Sequence, residues 1–297
     1  MMRMSTWENV GTESHSNNYL DLLKEADLDY TVIAEDSFVE REGSKIMIPN
    51  QKVVLREDTN EVLGTVSSRY QLCQNRDALD FVEYLEGVSL LKAGSNGGMV
   101  WMIGKLPEVE VLGDVITPHL IFQNSHDGSC SIKTTICMLR MICQNQFIAT
   151  FKDSPATITI RHQGEMEKKL LAARETMQGV YNYVKNYEET ASTLATEKIT
   201  PKKFNEIVEG YFKIPEEASD RSTRIILEKR ERFLEAYNAD DNQNFRGSKW
   251  GVINAFSDFA THDEYVRKTD NWQTSKFLNS LSPASMTEFM RFIGAAA

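Results

Sequence analysis

Residues 119–147 hold the densest run of side chains able to do chemistry: His119, then Asn124-Ser125-His126-Asp127-Gly128, then Lys133 and Arg140, then Cys143-Gln144-Asn145-Gln146. The amides end an otherwise apolar strand, where structure alone has no need of them, so something polar is expected to be bound or capped there. His126 and Asp127 could act as an acid–base pair. Neighbouring residues in a turn more often make local Asx-type hydrogen bonds, and the turn is expected to be mainly structural. His119, His126 and His162 could ligate a metal together, but no two share an i, i+4 spacing or an HEXXH context. The spacings of Cys130, Cys137 and Cys143 also miss the Cys-X-X-Cys pitch of zinc sites. No metal is expected, and the four cysteines suit buried, reduced thiols.

Cations are the second group. Arg161-His162 followed by Lys168-Lys169 could hold phosphates at a helix start, or form a solvated charged face. Arg69-Tyr70 closes a hairpin strand, where guanidinium can bind phosphate and tyrosine can stack on a base; the alternative is an edge arginine beside a core tyrosine. With 43 acidic and 33 basic residues the chain carries a net charge of -10, which argues against coating nucleic acid over the whole surface. Distribution can override the total. From Ser129 to Arg174 the cations are Lys133, Arg140, Lys152, Arg161, Lys168, Lys169 and Arg174, against Asp153, Glu165 and Glu167. The candidate nucleic-acid-binding set is therefore Arg69, Tyr70, Lys133, Arg140, Lys152, Arg161, His162, Lys168, Lys169 and Arg174.

Enzyme signatures are missing. There is no GXSXG elbow, no Walker spacing, no paired carboxylate block and no cysteine with an evident histidine partner. Gly247-Ser248-Lys249-Trp250-Gly251 resembles a phosphate loop only superficially, lacking GXXXXGK[ST] and a preceding strand. No catalytic residue and no cofactor are expected.

The elements that must position these residues follow from periodicity. A polar arm over 1–17 is expected to be poorly ordered, followed by a helix over 18–26. Strands are expected over 30–38, 45–47, 52–57 and 62–71, the last two forming a hairpin across Asp58-Thr59-Asn60-Glu61, then a helix over 76–86. A flexible turn at 94–98 precedes a strand over 99–105, and Gly113-Asp114 separates 109–112 from 115–122. Two core strands flank the Asn124–Gly128 turn. From about Glu165 the pattern turns helical: 165–190, 201–211, 219–236, 249–261 and 282–293, with Thr200-Pro201 and Ser282-Pro283 as caps and first residues. Strands followed by helices predict an α+β fold: a flexible arm (1–17), a β-hairpin-rich core with a packed helix (18–164) and a helical region (165–297). No run reaches the roughly 18 apolar residues of a membrane span, and the N-terminus lacks a signal-peptide core, so a cytoplasmic location without membrane association is expected.

The Asn-Ser-His-Asp-Gly turn followed by Arg140-X-X-Cys143-X-Asn145 resembles the phage- and plasmid-encoded family built on the domain of unknown function 932. Three further blocks fit it: Val62 to Tyr70 with Gln74-Asn75 behind it, Ile160-Arg161-His162 leading into a helix that reaches Ala173-Arg174, and Gly247 to Ala255. The order of a hairpin, a helix and a long hairpin also looks like the β-β-β-α core of Rad52-like single-strand annealing proteins. That likeness implies single-stranded DNA as partner, annealing in recombination or replication, no nucleotide cofactor, and a ring or filament of identical subunits that repeats one basic groove. The C-terminal helical faces at Val252, Phe256, Phe259 and at Phe289, Phe292, Ile293 could build such contacts or simply cap the sheet. The competing expectation is a non-enzymatic phage or plasmid protein that binds and modulates a host protein, for instance as a DNA mimic through its acidic surface.

Overall fold

A computed structural model describes residues 10–140, 146–147, 157–177, 179–262, 272 and 283–294. It shows two antiparallel sheets made mostly by the N-terminal half and helices through the C-terminal half, an α+β arrangement. Lys152 and the Cys143-Gln144-Asn145 run lie outside the described residues, as do Ser282 and the first nine residues.

The larger sheet runs β1 (Thr12–Glu13), β5 (Ser89–Asn96), β6 (Met99–Lys105), β8 (Asp114–Ser125), β9 (Ile132–Arg140), with β7 (Val109–Val111) on β8 and both β10 (Gln146–Phe147) and β11 (Thr157–Ile160) on β9. The two arms predicted around the Asn124–Gly128 turn are β8 and β9. In β8 every residue but Val115 is buried, so this strand is covered on both faces, which explains why its apolar run barely alternates. Helices α1 (Tyr19–Glu25), α2 (Asn75–Leu79) and α3 (Met166–Met177) pack on β5, β8 and β11; α4 (Val180–Thr196) and α7 (Lys249–His262) pack on β7 and β10. One apolar cluster runs from Val10 to Met290 and takes in strands and C-terminal helices alike. Where a disordered arm was expected to run as far as residue 17, Val10 is buried and Thr12 and Glu13 pair with Ala93 and Lys92. Strand pairing holds this stretch where polarity alone suggested solvent. Among the described residues no helix is long and apolar enough to cross a membrane.

The smaller sheet is β2 (Val32–Arg41), β3 (Ser44–Arg56) and β4 (Val62–Ser67), with β3 in the middle. The strands expected at 45–47 and 52–57 are one strand. Pro49-Asn50 does not end it because the chain bulges there: Asp36 pairs with Lys52 but Phe38 with Met47. β4 reaches only as far as Gln51, so β2 and β3 continue as a two-stranded ribbon. The ribbon turns at Glu42-Gly43, whose φ values of 52° and 76° are those of a tight hairpin turn.

The helix predicted over 165–190 is two helices, α3 and α4, the second capped by Gly179. α5 (Pro201–Tyr211) has the expected Thr200 cap, its hydroxyl accepting from Lys203 N at 3.2 Å, and α6 (Asp220–Asn238) is capped by Ser219. Against α7 and α8 (Pro283–Phe292) these helices build an aromatic core in which Phe256 and Phe289 stack at 3.9 Å. Val252, Phe256 and Phe289 are buried within the chain, so the faces considered for subunit contacts mainly seal the subunit.

The Gly247–Gly251 block is explained by packing. Ser248 Oγ accepts from Gly251 N and donates to the Phe245 carbonyl, while Asn242 Nδ2 donates to the Gly251 carbonyl. A Cβ on Gly251 would sit 2.2 Å from the Phe245 oxygen. That neighbour is backbone and cannot swing away, so Gly251→Ala is expected to cost about 2–4 kcal/mol, read as a lower urea midpoint. An unchanged midpoint would refute this packing role.

Candidate nucleic-acid interface

The Asn124–Gly128 turn sits where the two sheets and α2 meet. Asp127 wedges between two glycines: a Cβ on Gly64 of β4 would lie 2.4 Å from Asp127 Cβ, and one on Gly98 would lie 2.7 Å from it. The Asp127 carboxylate accepts from Ser129 N at 2.8 Å, the Asx-type bond expected for this turn. Ser125 Oγ accepts from Cys130 N and donates to the Cys130 carbonyl, closing the loop.

Beneath the turn lies a buried polar knot. Asn75, the first residue of α2, donates through Nδ2 to the Leu28 carbonyl at 2.9 Å. Its Oδ1 therefore faces His126 Nε2 at 3.0 Å, which fixes the imidazole as the Nε2–H tautomer. Asn124 Nδ2 donates to the Cys73 carbonyl at 3.2 Å. Gln74 pairs with both backbone groups of Val32 at 2.9 and 3.0 Å, standing in for a strand neighbour on β2. Tyr30 meets the His126 ring edge-on and carries the Arg56 guanidinium 4.1 Å above its own ring. Arg56 grips both oxygens of Asp27 and reaches Asp58, which holds those carboxyls below their ordinary range. Burial pushes His126 down to about 4 and raises the Cys73 thiol to about 12. The Asn75–His126 centre of the knot is thus uncharged at neutral pH, and its histidine is a poor proton shuttle there. Sequence reasoning missed Asn75 as a hub; its only signal was the place of Gln74-Asn75 behind the Val62–Tyr70 block.

The predicted cations and rings divide around this knot. Tyr70 donates its hydroxyl to the Ser125 carbonyl at 2.6 Å and stacks on His162 with ring centres 4.5 Å apart. His162 donates Nδ1–H to the Gln71 carbonyl at 3.0 Å, across 91 positions of sequence. One face of Tyr70 is therefore occupied, and both rings act as a rigid support. Arg69 and Arg161 stand exposed in the chain beside Tyr70 and His162. Lys169 folds back to donate to the carbonyls of Gln163 and Arg161, shaping the loop into α3, and Lys168 pairs with Glu165 on the exposed first turn. Lys133, half-buried, lies between Gln123 on β8 and Thr159 on β11, and its charge partly offsets the burial that raises the Cys130 thiol. These residues form one corner of the molecule. Arg174 is two turns along α3, ion-paired to Asp80 and resting over the Tyr84 ring at 5.3 Å, so it ties α3 to the sheet. Arg140 pairs through its backbone with Ile116 at the opposite end of β9, roughly 25 Å from Ile132 at strand rise. Among the described residues no three His, Cys, Asp or Glu side chains converge on a position that could hold a metal ion.

Comparison with curated proteins and with solved structures finds no match. The family model described as "Domain of unknown function (DUF932)" matches residues 62–281, from β4 through the helical half, and takes in the wedge of Asp127 against Gly64 and Gly98, the Asn75–His126 knot and the Gly247–Gly251 cap. With most of its length covered by that model, the chain belongs to the DUF932 family.

Proposed function

We propose that the chain binds single-stranded DNA at the corner made by Arg69, Lys133, Arg161, Lys168 and Lys169, and holds strands for annealing during recombination or replication of a phage or plasmid in the host cytoplasm. The observation that carries this reading is the meeting of cations from three distant segments around the stacked Tyr70–His162 pair, in a chain whose net charge is -10. A rigid base with the exposed Arg69 and Arg161 on it suits a phosphate backbone, since phosphate contacts need charge and position more than side-chain specificity. Binding of this kind needs no nucleotide cofactor and catalyses no covalent step.

The test is fluorescence anisotropy with single- and double-stranded oligonucleotides across a salt series. Arg69→Glu with Arg161→Glu is expected to weaken single-strand binding at least tenfold. The same variant should flatten the slope of log affinity against log salt by about 0.7 for each phosphate that is no longer neutralised. Unchanged affinity and slope would take this corner out of the interface. No binding to either oligonucleotide by the unaltered chain would turn the reading to a protein that modulates a host partner.

A further inference from the structure

Three buried atoms around the Asn124–Gly128 turn can accept hydrogen bonds and meet no donor. Asn124 Oδ1, His126 Nδ1 and His162 Nε2 have no hydrogen-bond partner among the described residues, and their side chains belong to residues only 0, 0 and 4 % exposed. In each, the other polar atom of the same side chain is committed. Asn124 Nδ2 donates to the Cys73 carbonyl, His126 Nε2–H to Asn75 Oδ1, and His162 Nδ1–H to the Gln71 carbonyl. A neutral imidazole carries one N–H, so the remaining ring nitrogens are bare lone pairs, as is the amide oxygen. Buried polar atoms are rarely left in that state.

The fold gathers the three. His126 N still bonds the Gly98 carbonyl at 2.7 Å, which carries the pairing of β8 one residue past its end, and side chains two apart on a strand share a face. Asn124 and His126 accordingly both approach Asn75 Oδ1, at 3.5 and 3.0 Å. His162 is brought to them by Tyr70, whose ring it stacks on at 4.5 Å while the phenol bonds the Ser125 carbonyl. The charge of His162 acts on His126 more strongly than that of Asp127, the next residue in the chain. A water has two protons for three acceptors, whereas a cation draws on all of them at once. Imidazole nitrogens suit zinc, copper or nickel better than magnesium or calcium, and a hydrogen bond on the far ring nitrogen is how metal-bound histidines are usually oriented.

We propose that Asn124 Oδ1, His126 Nδ1 and His162 Nε2 hold a divalent transition cation of the zinc class, which ties the loop before α3 to the end of β8. The two imidazoles come from segments far apart in the chain and the third ligand is an amide, so neither a spacing motif nor a cluster of three His, Cys, Asp or Glu side chains marks the site. The test adds zinc or cobalt(II) to the full chain after dialysis against a chelator. Calorimetry is expected to give one zinc per chain, and cobalt to bind in the same ratio with a visible absorption band. His126→Gln keeps a donor where Nε2 stands and His162→Asn keeps one where Nδ1 stands, so each removes the bare nitrogen and spares the hydrogen bond that holds the ring. Each should weaken zinc affinity by roughly tenfold or more while leaving the urea midpoint in chelator nearly unchanged. His15→Gln, which removes an exposed imidazole beside Glu25, should leave zinc affinity as it is. X-ray absorption on the zinc-loaded unaltered chain needs no variant, and should show two imidazoles in a shell at about 2.0–2.1 Å. No zinc bound by the unaltered chain, undiminished binding by His126→Gln or His162→Asn, loss of binding with His15→Gln, or fewer than two imidazoles in the shell would each overturn the proposal.

Discussion

Asn75→Ala is expected to remove about 3–5 kcal/mol of folding stability, because it strands several buried partners at once. The Leu28 carbonyl loses its donor and His126 Nε2–H loses its acceptor, while Asn124 loses a 3.5 Å neighbour at its amide. Asn75 is 1 % exposed and His126 fully buried, so water cannot readily replace the missing bonds. Against a typical total of about 5–15 kcal/mol this approaches unfolding. The readout is the urea midpoint, with Gln74→Ala as a milder companion that frees only the Val32 backbone groups on β2. A loss below about 1 kcal/mol would show that the knot is incidental to stability.

The second large effect is loss of stability in acid. Burial lowers His119 and His126 from 6.5 to about 4, and lowers His162 as well. A depressed pKa in the folded chain means the unfolded chain takes up more protons below pH 6.5. The stability these residues supply is therefore complete above that pH and is lost as pH falls through about 4. Each of His119 and His126 can account for up to roughly 3 kcal/mol of that loss. Asp27 and Asp29, held low by Arg56 and Arg76, titrate in a lower window, below their ordinary 3.8. Urea midpoints taken from neutral pH down to about pH 4.5 should fall steadily, and His119→Gln should reduce the fall. A flat midpoint over that range would contradict the buried neutral imidazoles.

Both effects arise at positions the sequence displayed only in part. His126 stood out in its turn, and both arms around it read as core strands, although their near-alternating apolar residues did not tell that β8 is buried on both faces. The cap at Thr200 was legible because a hydroxyl before a helix that starts with proline has one common use. β5 was not: Gly94, Ser95 and Asn96 read as part of a turn, yet Gly94 is in the strand to make room for Trp101, whose ring a Cβ would meet at 2.8 Å. The site divides the same way. Arg69-Tyr70 and Arg161-His162 were each visible as local motifs, but their joining through the Tyr70–His162 stack depends on a backbone bond from Gln71 to His162 that no local pattern encodes. Arg174 had the right charge in the right segment, and only the fold shows that Asp80 neutralises it.

The bulge in the small sheet has a consequence for how this chain tolerates change. Four residues of β3, Ile48 to Gln51, stand opposite the single Ser37 of β2, while pairing resumes cleanly at Phe38–Met47 above and Asp36–Lys52 below. Side chains alternate faces along a strand, so a one-residue deletion in regular pairing would turn every later side chain over. Slack at the bulge can absorb such a deletion, leaving the base registered on Arg56 and Gln74 while the tip rotates as a block. Insertions and deletions at Pro49-Asn50 would then re-aim Phe38, Val39, Ile46 and Met47 without disturbing the buried valines Val32, Val54 and Val66. The outer ribbon is free to drift toward new contacts at a rate its own root cannot match.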